Sequence, residues 1–337
     1  MIKEAIKKLV SGRSLSSDEA AGVMQQIMKG EATPAQFGAF VTALRLKGET
    51  VDEIVGLASV MRANAVPVKV SCAVVDTCGT GGDGAGTFNI STAAAFIAAG
   101  AGLTVAKHGN RAMSSQCGSA DVLEALDVNI NLDTEKVTKC LDEVGIGFMF
   151  APMFHPAMKH AAAPRREIGI RTVFNILGPL TNPAGAKSQV LGVSEKPLVE
   201  KLAKALKKLG CRHALVVHGE DGLDEITVCD DTYVCELKHD EARSYKVSPE
   251  ELSISRACLS DIKGGSAQEN AAMVRDILCG GKGARRDAVL VNAAAALLAG
   301  DKVDSLKRGV ELAGEVIDKG YALDRLERLV ELSHKLA

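Results

Sequence analysis

Along residues 1–64, apolar positions recur at helical spacing in four short blocks. Ile2, Ile6, Leu9 and Val10 share one face. Val23, Met24, Ile27 and Met28 share a second, Phe37, Phe40, Val41 and Leu44 a third, and Ile54, Leu57 and Met61 a fourth. The last three blocks each follow a hydroxyl residue with Glu or Gln three places on: Ser16 with Glu19, Thr33 with Gln36, Thr50 with Glu53. That spacing is a capping box, in which each side chain satisfies the other residue's backbone N–H. Pro34 takes the first helical position, where its missing N–H is harmless. The pattern predicts a small helical domain, residues 1–66, with little chemistry of its own, which either covers a site or makes a dimer contact. Val66, Pro67 and Val68 read as a hinge out of it.

Beyond the hinge, short β-branched runs alternate with longer helical ones. Residues 74–76 are a predicted strand that stops in a loop with glycines at 79, 81, 82, 84 and 86, and an alanine-rich helix begins near Ser91. Residues 103–106 are a second strand, running out into the polar stretch 107–111. Helices are predicted over 122–126 and 134–144, and a buried strand over 146–150. Pro156 starts a helix that Pro164 ends, leaving Arg165 and Arg166 just beyond it, and 178–183 is a rigid turn. Strands follow at 190–193 and 213–217, around a helix over 197–209 whose lysines are solvated. Residues 233–237 and 244–247 form a strand excursion on the surface. The remainder is helical, at 268–278, 284–298 and two amphipathic segments, with Arg285 and Arg286 facing solvent. Strands alternating with helices predict an α/β fold. The expected architecture is a small N-terminal helical domain, joined by part of 164–185, plus a larger α/β domain, 67–337, with a central mostly parallel sheet flanked by helices.

With 337 residues, 47% hydrophobic and 24% charged, the chain has ordinary globular composition and length enough for two domains. Only 3% of residues are aromatic and none is tryptophan, so helices must pack through aliphatic side chains and alanine. A formal net charge of -2 argues against general affinity for nucleic acid or anionic membrane; any anion site must be local. Nine scattered cysteines without a C-x-x-C pair suit reduced thiols better than a disulfide framework or a zinc site. Cys78 and Cys117, which flank the glycine loop, suit the role of small apolar filler. With no signal-peptide pattern and no apolar run of the roughly 18–20 residues a membrane span needs, a cytoplasmic protein is expected.

Two consecutive strands thus deliver two polar loops to one sheet edge, where ligands of parallel sheets sit. The first loop offers glycine-freed amides and a helix N-terminus; the second offers Lys107, His108, Arg111 and the hydroxyls of Ser114 and Ser115. A phosphorylated ligand fits both. Gly79, Gly81 and Gly84 also satisfy the dinucleotide pattern, but that site needs an acid at the end of the second strand, where Lys107 and His108 stand. An NAD-dependent oxidoreductase is disfavoured on that charge. Asp83 is awkward in a phosphate loop unless a cation intervenes or its carboxylate orients loop amides. Asp224 and Glu225, just past a strand end, are hard oxygen ligands of the kind Mg²⁺ takes together with substrate phosphates. Asp230 and Asp231 suit a turn. Arg165 and Arg166 are either solvated or placed to grip a carboxylate bidentately.

Taken together and in order, these motifs resemble the anthranilate phosphoribosyltransferase family nearly end to end. After the helical segment come D-T-C-G-T-G-G-D at 76–83, N-I-S-T at 89–92, K-H-G-N-R at 107–111 and S-S-x-x-G-S-A-D at 114–121. H-P-A-M at 155–158, P-R-R-E-I-G-I-R-T-V-F-N-I-L-G-P-L-T-N-P at 164–183 and G-L-D-E at 222–225 complete the set. The resemblance implies transfer of the phosphoribosyl group of phosphoribosyl pyrophosphate (PRPP) to the amino nitrogen of anthranilate, in tryptophan biosynthesis. It also implies Mg²⁺, a homodimer formed through the helical domain, and a site in the cleft between domains. By position it assigns Gly79, Gly82, Asp83, Thr87, Asn89, Ile90, Ser91, Thr92, Lys107, Ser115 and Ser119 to the donor. Gly79, Asn110 and Arg165 would contact anthranilate, with His108 close by, and Ser91, Asp224 and Glu225 would hold Mg²⁺. Lys107 and His108 are the expected catalytic residues. No indispensable general base is expected, because the attacking aryl amine is already neutral at physiological pH. Two rivals share the architecture. A pyrimidine nucleoside phosphorylase is opposed by the motif order and by Asp224 and Glu225; a non-catalytic nucleic-acid-binding relative would carry a degraded acceptor region and a basic groove.

Overall fold

A computed structural model describes residues 1–112 and 116–337; Ser114 and Ser115 lie outside the described residues. The chain opens with α1 (Ile2–Val10), α2 (Ser17–Met28), α3 (Pro34–Lys47) and α4 (Val51–Ala63). All three capping boxes close. Ser16, Thr33 and Thr50 accept from the N–H groups of Glu19, Gln36 and Glu53 at 3.2, 3.2 and 3.3 Å, and the partner side chains return at 2.8, 3.1 and 2.7 Å. Glu53 goes further: fully buried, it also accepts from the Leu15 N–H at 2.8 Å and from Lys47 Nζ at 2.9 Å. The buried face of α1 is Ile2, Ala5 and Leu9, whereas Val10, expected on that face, is 70% exposed. One residue turns a helix by about 100°, which carries Val10 away from the bundle.

The rest of the chain comprises, in order, β1 (Val74–Gly79), α5 (Ile90–Gly100), β2 (Thr104–Gly109), α6 (Ser119–Ala125), α7 (Thr134–Val144), β3 (Ile146–Phe150) and the short turn α8 (Ala151–Phe154). Next come α9 (Lys159–Ile168), the short turn α10 (Phe174–Leu177), β4 (Ser188–Gly192), α11 (Leu198–Lys208), β5 (His213–Gly219), β6 (Thr232–Lys238) and β7 (Glu241–Val247). The chain finishes with α12 (Ala267–Leu278), α13 (Ala284–Ala299), α14 (Leu306–Asp318) and α15 (Tyr321–Lys335). The strands form one 7-stranded sheet in the order β3-β2-β1-β4-β5-β6-β7. β1 to β5 run parallel, and β6 and β7 are antiparallel additions. His239 and Asp240 alone join β6 to β7, both at positive φ (49° and 64°), a tight turn that returns the chain antiparallel. The expected surface excursion is therefore part of the main sheet. β6 is largely buried, and only β7 forms an exposed edge, where Arg243 and Lys246 discourage further pairing.

Successive side chains of β4 and β5 alternate between two cores. Val190, Leu215 and Val217 join α5 and the C-terminal helices, while Leu191, Ala214 and Val216 join α11 and the N-terminal bundle. In the first core the alanine-rich α5 and α13 lie against each other, and Gly309 of α14 meets Ala294 of α13 closely. Small residues here replace the missing aromatics by letting helices approach. The second core also takes in Ala161, Val173, Phe174, Ile176, Leu177 and Leu180, with the rings of Phe37 and Phe174 5.3 Å apart. Arg62 fastens the bundle to the sheet side, donating to the carbonyls of Leu180 at 2.6 Å and Leu209 at 2.8 Å. Arg45 pairs with Glu195 at 2.9 Å, and Lys208 with Asp52 at 2.5 Å. Lys208, expected to be merely solvated, is thus a contact between bundle and sheet.

Three further expectations are revised. Pro164 lies inside α9 instead of ending it, at the loss of one helical bond to the His160 carbonyl, so Arg165 and Arg166 occupy the last turn before Gly169 (φ 67°). Lys107 and His108 belong to β2 and are buried, because the strand runs on past Ala106 wherever inward polar groups find partners. Arg286 is buried on α13 and pairs with Asp318 at 2.7 Å. Among the described residues no helix is long and apolar enough to cross a membrane.

Candidate active site

β1 has β2 on one side and β4 on the other, so the winding of the sheet reverses between β1 and β4. At such a switch the carboxyl ends of the strands open a crevice. Two cavities meet there. One, of about 320 Å³, is lined by the glycine loop, the start of α5, Asp224 and Glu225. The other, of about 370 Å³, is mostly apolar and includes Met61, Ala151, Pro152, Met158, Ala162 and Pro179. Cys78, Gly79, His108, Asn110, Arg165 and Phe174 line both.

Small residues set the shape of the polar cleft. A Cβ on Gly79 would overlap the Asp224 carboxylate, and one on Gly192 the Asp224 carbonyl oxygen, so Asp224 crosses the ends of β1 and β4 only because both are glycine. Its carboxylate accepts the Gly81 N–H at 2.6 Å. Asp83 orients the loop, its Oδ1 accepting the Ala85 N–H at 3.1 Å. Thr87 then bridges to Lys263, and α5 begins without a side-chain cap. Asn89, next to its first turn, is held elsewhere, donating to the Cys117 carbonyl at 3.2 Å and accepting from Asn270 at 3.0 Å. At the cleft that Ile90, Ser91 and Thr92 line, the Ile90 N–H donates to the Phe88 carbonyl at 2.8 Å and the Ser91 N–H to Glu225. Thr92 Oγ1 is buried there without a partner.

Beneath the cleft lies a buried charge network. Lys107, 3% exposed, donates to the Thr77 carbonyl at 2.5 Å and lies 3.4 Å from Thr77 Oγ1 and 3.3 Å from Ser91 Oγ. Burial lowers its pKa and the charge of Asp76 opposes that. Asp76, fully buried, accepts from the Asn182 side chain at 2.7 Å and from the His108 N–H at 3.3 Å; burial raises its pKa against the pull of Lys107. Burial also raises Asp224 and Glu225. Asp83 repels the charge of Asp224, and Asp224 that of Glu225, while the Ser91 N–H supports Glu225. Two carboxylates whose charges are unfavourable where they stand form a donor set that a divalent cation would relieve. Among the described residues no group of three or more His, Cys, Asp or Glu side chains could hold an ion. The remaining oxygens must come from water and ligand, which is how Mg²⁺ is usually held.

On the apolar side, the rings of His108 and His155 lie 5.0 Å apart. Burial depresses His108 to about 3, with His155 adding to the effect, and His155 to about 4, so both are neutral at physiological pH. His108 Nε2 is buried without a hydrogen-bond partner. Arg165 reaches in from the last turn of α9. Its guanidinium lies over the Phe174 ring, 5.4 Å from the centroid, and donates to the Phe174 carbonyl at 3.5 Å; burial lowers its pKa. Arg111 also borders the polar cleft, but its charge is matched by Asp121 at 3.0 Å and Glu124 at 2.5 Å.

The polar cleft brings together Gly79, Gly82, Asp83, Thr87, Asn89, Ile90, Ser91, Thr92, Lys107, His108, Asn110, Ser119, Arg165, Asp224 and Glu225. Ser115, also expected there, lies outside the described residues. Sequence reasoning missed Arg171 and Asn175, which line the same cleft, and His155, which lines the apolar one. Nothing in the local pattern marks Arg171. Asp76 did carry a signal, because an acid within a β-branched run must be paired when buried.

An amide-lined cleft at the switch point of an α/β sheet, sharing a wall with an apolar pocket closed by a helical bundle, is the arrangement of a two-domain glycosyl transferase. The helical bundle domain of the glycosyl transferase family matches residues 3–65, and that family's a/b domain matches residues 71–323. Within it the chain belongs to the anthranilate phosphoribosyltransferase family. It is 57% identical over 339 residues to the anthranilate phosphoribosyltransferase of Dehalococcoides mccartyi, covering 100% of this chain and 99% of that protein. Its identity to the enzyme of Chloroflexus aggregans is 59% over 334 residues, covering 98% of each. The crystal structure of anthranilate phosphoribosyltransferase from Thermus thermophilus matches with a TM-score of 0.93 at 47% identity, over 98% of this chain and 99% of that one. The Saccharomyces cerevisiae enzyme in complex with PRPP and Mg matches with a TM-score of 0.91 at 28% identity, over 99% and 98%. Family membership does not favour the phosphorylase, oxidoreductase and nucleic-acid-binding alternatives.

Proposed function

We propose that this protein transfers the 5-phosphoribosyl group of PRPP to the amino nitrogen of anthranilate, giving N-(5-phosphoribosyl)anthranilate and pyrophosphate in L-tryptophan biosynthesis. The observation that carries the proposal is the shared wall. An amide-rich cleft with two buried carboxylates opens onto an apolar pocket at Gly79, His108, Asn110 and Arg165. A highly charged donor and a flat, monoanionic aromatic acceptor can each find their own solvent there and still touch.

Breaking the bond from C1 of the ribose to pyrophosphate builds negative charge on the leaving group, and the site must receive that charge without reorganising. The glycine-loop amides and the Thr92 hydroxyl, buried without a partner at the start of α5, supply donors. Lys107 has its ammonium engaged by Thr77 and Ser91, so it acts through its buried charge and by orienting Ser91. Asp224, Glu225 and Ser91 fit Mg²⁺, which supplies charge neutralisation on the pyrophosphate when bound. Arg165 would take the anthranilate carboxylate while its stacking on Phe174 keeps the guanidinium plane fixed. His108, neutral, is an acceptor that orients the amine; it is not an acid. Positioning therefore dominates the catalysis.

The setting we propose is a cytoplasmic homodimer. Nine free cysteines fit a reducing compartment, and the bundle leaves Met1, Val10 and Leu46 exposed, the last at 83%, as apolar side chains available to a second copy. The test of function is loss of anthranilate fluorescence on incubation with PRPP and Mg²⁺. Loss that requires both, and stops in EDTA, is the expected result. No loss in folded protein that still binds PRPP would discard anthranilate as the acceptor.

A further inference from the structure

One residue of the glycine loop, Gly81, is held on both of its flanking peptides. Asp224 Oδ2 accepts the Gly81 N–H at 2.6 Å, and the Gly81 carbonyl accepts from Arg171 Nη1, also at 2.6 Å. The fit leaves no slack: a Cβ on Gly82, whose φ is 74°, would overlap Arg171 Nη1. Arg171 comes from the opposite wall. It lies between Gly169, which closes α9, and Val173, which is buried in the core shared with the bundle. Asn175 fixes that segment, its Oδ1 accepting the Thr172 N–H at 2.9 Å while its own N–H returns to the Thr172 carbonyl at 2.9 Å. An arginine beside an acid pair would ordinarily be spent on a carboxylate. The hydrogen bond described for Arg171 goes to a carbonyl instead, and its charge only lowers Asp224 from nearby.

A cation held by Asp224 Oδ2 competes with the Gly81 N–H for that oxygen. When its carboxylate turns to the cation, the Gly81 N–H loses its acceptor, and an exposed loop of glycines has no side chains to hold its shape. A phosphate oxygen arriving with the cation is the natural replacement, provided Gly81 keeps its backbone conformation. The hold that remains on the residue is at its carbonyl, on the following peptide, where Arg171 donates at 2.6 Å and Thr80 Oγ1 at 3.4 Å. We propose that Arg171 is a positioning residue for the phosphoribosyl donor: it holds the Gly81 carbonyl from the bundle-side wall, so that capture of the cation by Asp224 hands the Gly81 N–H to a donor phosphate oxygen without releasing the loop. The inference deepens the proposed function and rests on it.

The test uses full-length Arg171→Ala and Arg171→Lys proteins. Backbone amide exchange over residues 79–87, measured without cation or donor, should speed up by about tenfold in the alanine protein, with exchange in β4 and β5 unchanged. The Kd for PRPP with Mg²⁺, measured by calorimetry, should rise by about tenfold, while the KM for anthranilate moves by less than about twofold. Arg171→Lys keeps the charge and one donor without the planar fork, so it should fall between the other two proteins; it also carries the test if the alanine protein does not fold. A donor Kd within about twofold of the parent in folded variants overturns the proposal, as does unchanged loop exchange. If the parent protein binds the donor but leaves anthranilate untouched, the acceptor assignment fails and the Arg171 result stands. If the parent does not bind the donor at all, both fall.

Discussion

His108 and His155 stand ring to ring at the meeting of the two compartments, and their burial has a measurable consequence. Each has a folded-state pKa, about 3 and about 4, below the ordinary 6.5. The folded protein therefore resists protonation that the unfolded chain accepts. The stability involved is fully present above the ordinary value and is lost as pH falls from there toward the folded values. We expect the thermal midpoint to fall more steeply between about pH 6.5 and pH 4 in the parent than in a His108→Gln, His155→Gln protein. Equal slopes would contradict the depressed values. The neighbouring glycines make a steric prediction. Gly192→Ala, whose Cβ would overlap the Asp224 carbonyl, should cost about 1–3 kcal/mol in urea unfolding and displace the acid pair, whereas Gly314→Ala inside α14, with only Arg286 Nη2 at 3.9 Å, should stabilise by about 0.5–1 kcal/mol. At this scale the sequence showed which residue types gather but not how each is spent. Lys107 looked like a loop cation and is a buried one, because Thr77 and Asp76 on the adjacent strand absorb it. Arg286 looked solvated and is buried, because Asp318 lies across from it on a helix that local pattern cannot place.

Elements were more legible than residues wherever their signal is local. The capping boxes are fixed by spacing within one turn, and the structure closes all three. Their contributions differ, though, for a reason spacing does not contain. Ser16 and Thr33 cap helices at the surface, whereas the box at Thr50 includes Glu53, which also holds the Leu15 N–H and Lys47. Thr50→Ala should lower stability by about 1 kcal/mol, a normal cap loss. Glu53→Ala should lose about 3 kcal/mol, because it strips the carboxylate from Lys47, itself only 7% exposed at the side chain, and orphans two backbone donors. Chemical denaturation of both variants checks the ratio; equal losses would reduce Glu53 to its capping role. The sequence misled where an element depends on distant support. Pro164 is carried inside α9 because Ala161 on the same helix is anchored in the bundle core, and β6 is buried because β5 and β7 flank it.

At the scale of the molecule, the two cavities have different origins. The polar cleft is built mainly from strand ends, loops of the sheet and the start of α5, with Arg165, Arg171, Phe174 and Asn175 added from the bundle-side wall, so most of it forms wherever the sheet folds. The apolar pocket has Cys78 and His108 on its sheet side but Met61 of α4 and Met158, Ala162 and Arg165 of the α9 region opposite, so it exists only while the bundle is docked. Docking depends on polar fasteners, of which Arg62 is the most committed: it lies on α4, the helix that carries Met61, and satisfies two carbonyls, Leu180 and Leu209, on two separate segments. Arg62→Ala leaves those carbonyls to water and lets the Met61 wall drift. The donor site loses nothing directly. We therefore expect the KM for anthranilate to rise by roughly five- to tenfold, with the Kd for PRPP and Mg²⁺ held within about twofold, read from steady-state kinetics and calorimetry on one preparation. A matching loss at the donor would mean that the bundle organises the glycine loop as strongly as it walls the pocket. In that case the contact from Arg171 to Gly81 is the path by which it does so, and combining Arg62→Ala with Arg171→Ala should then weaken donor binding by less than the sum of the two separate effects.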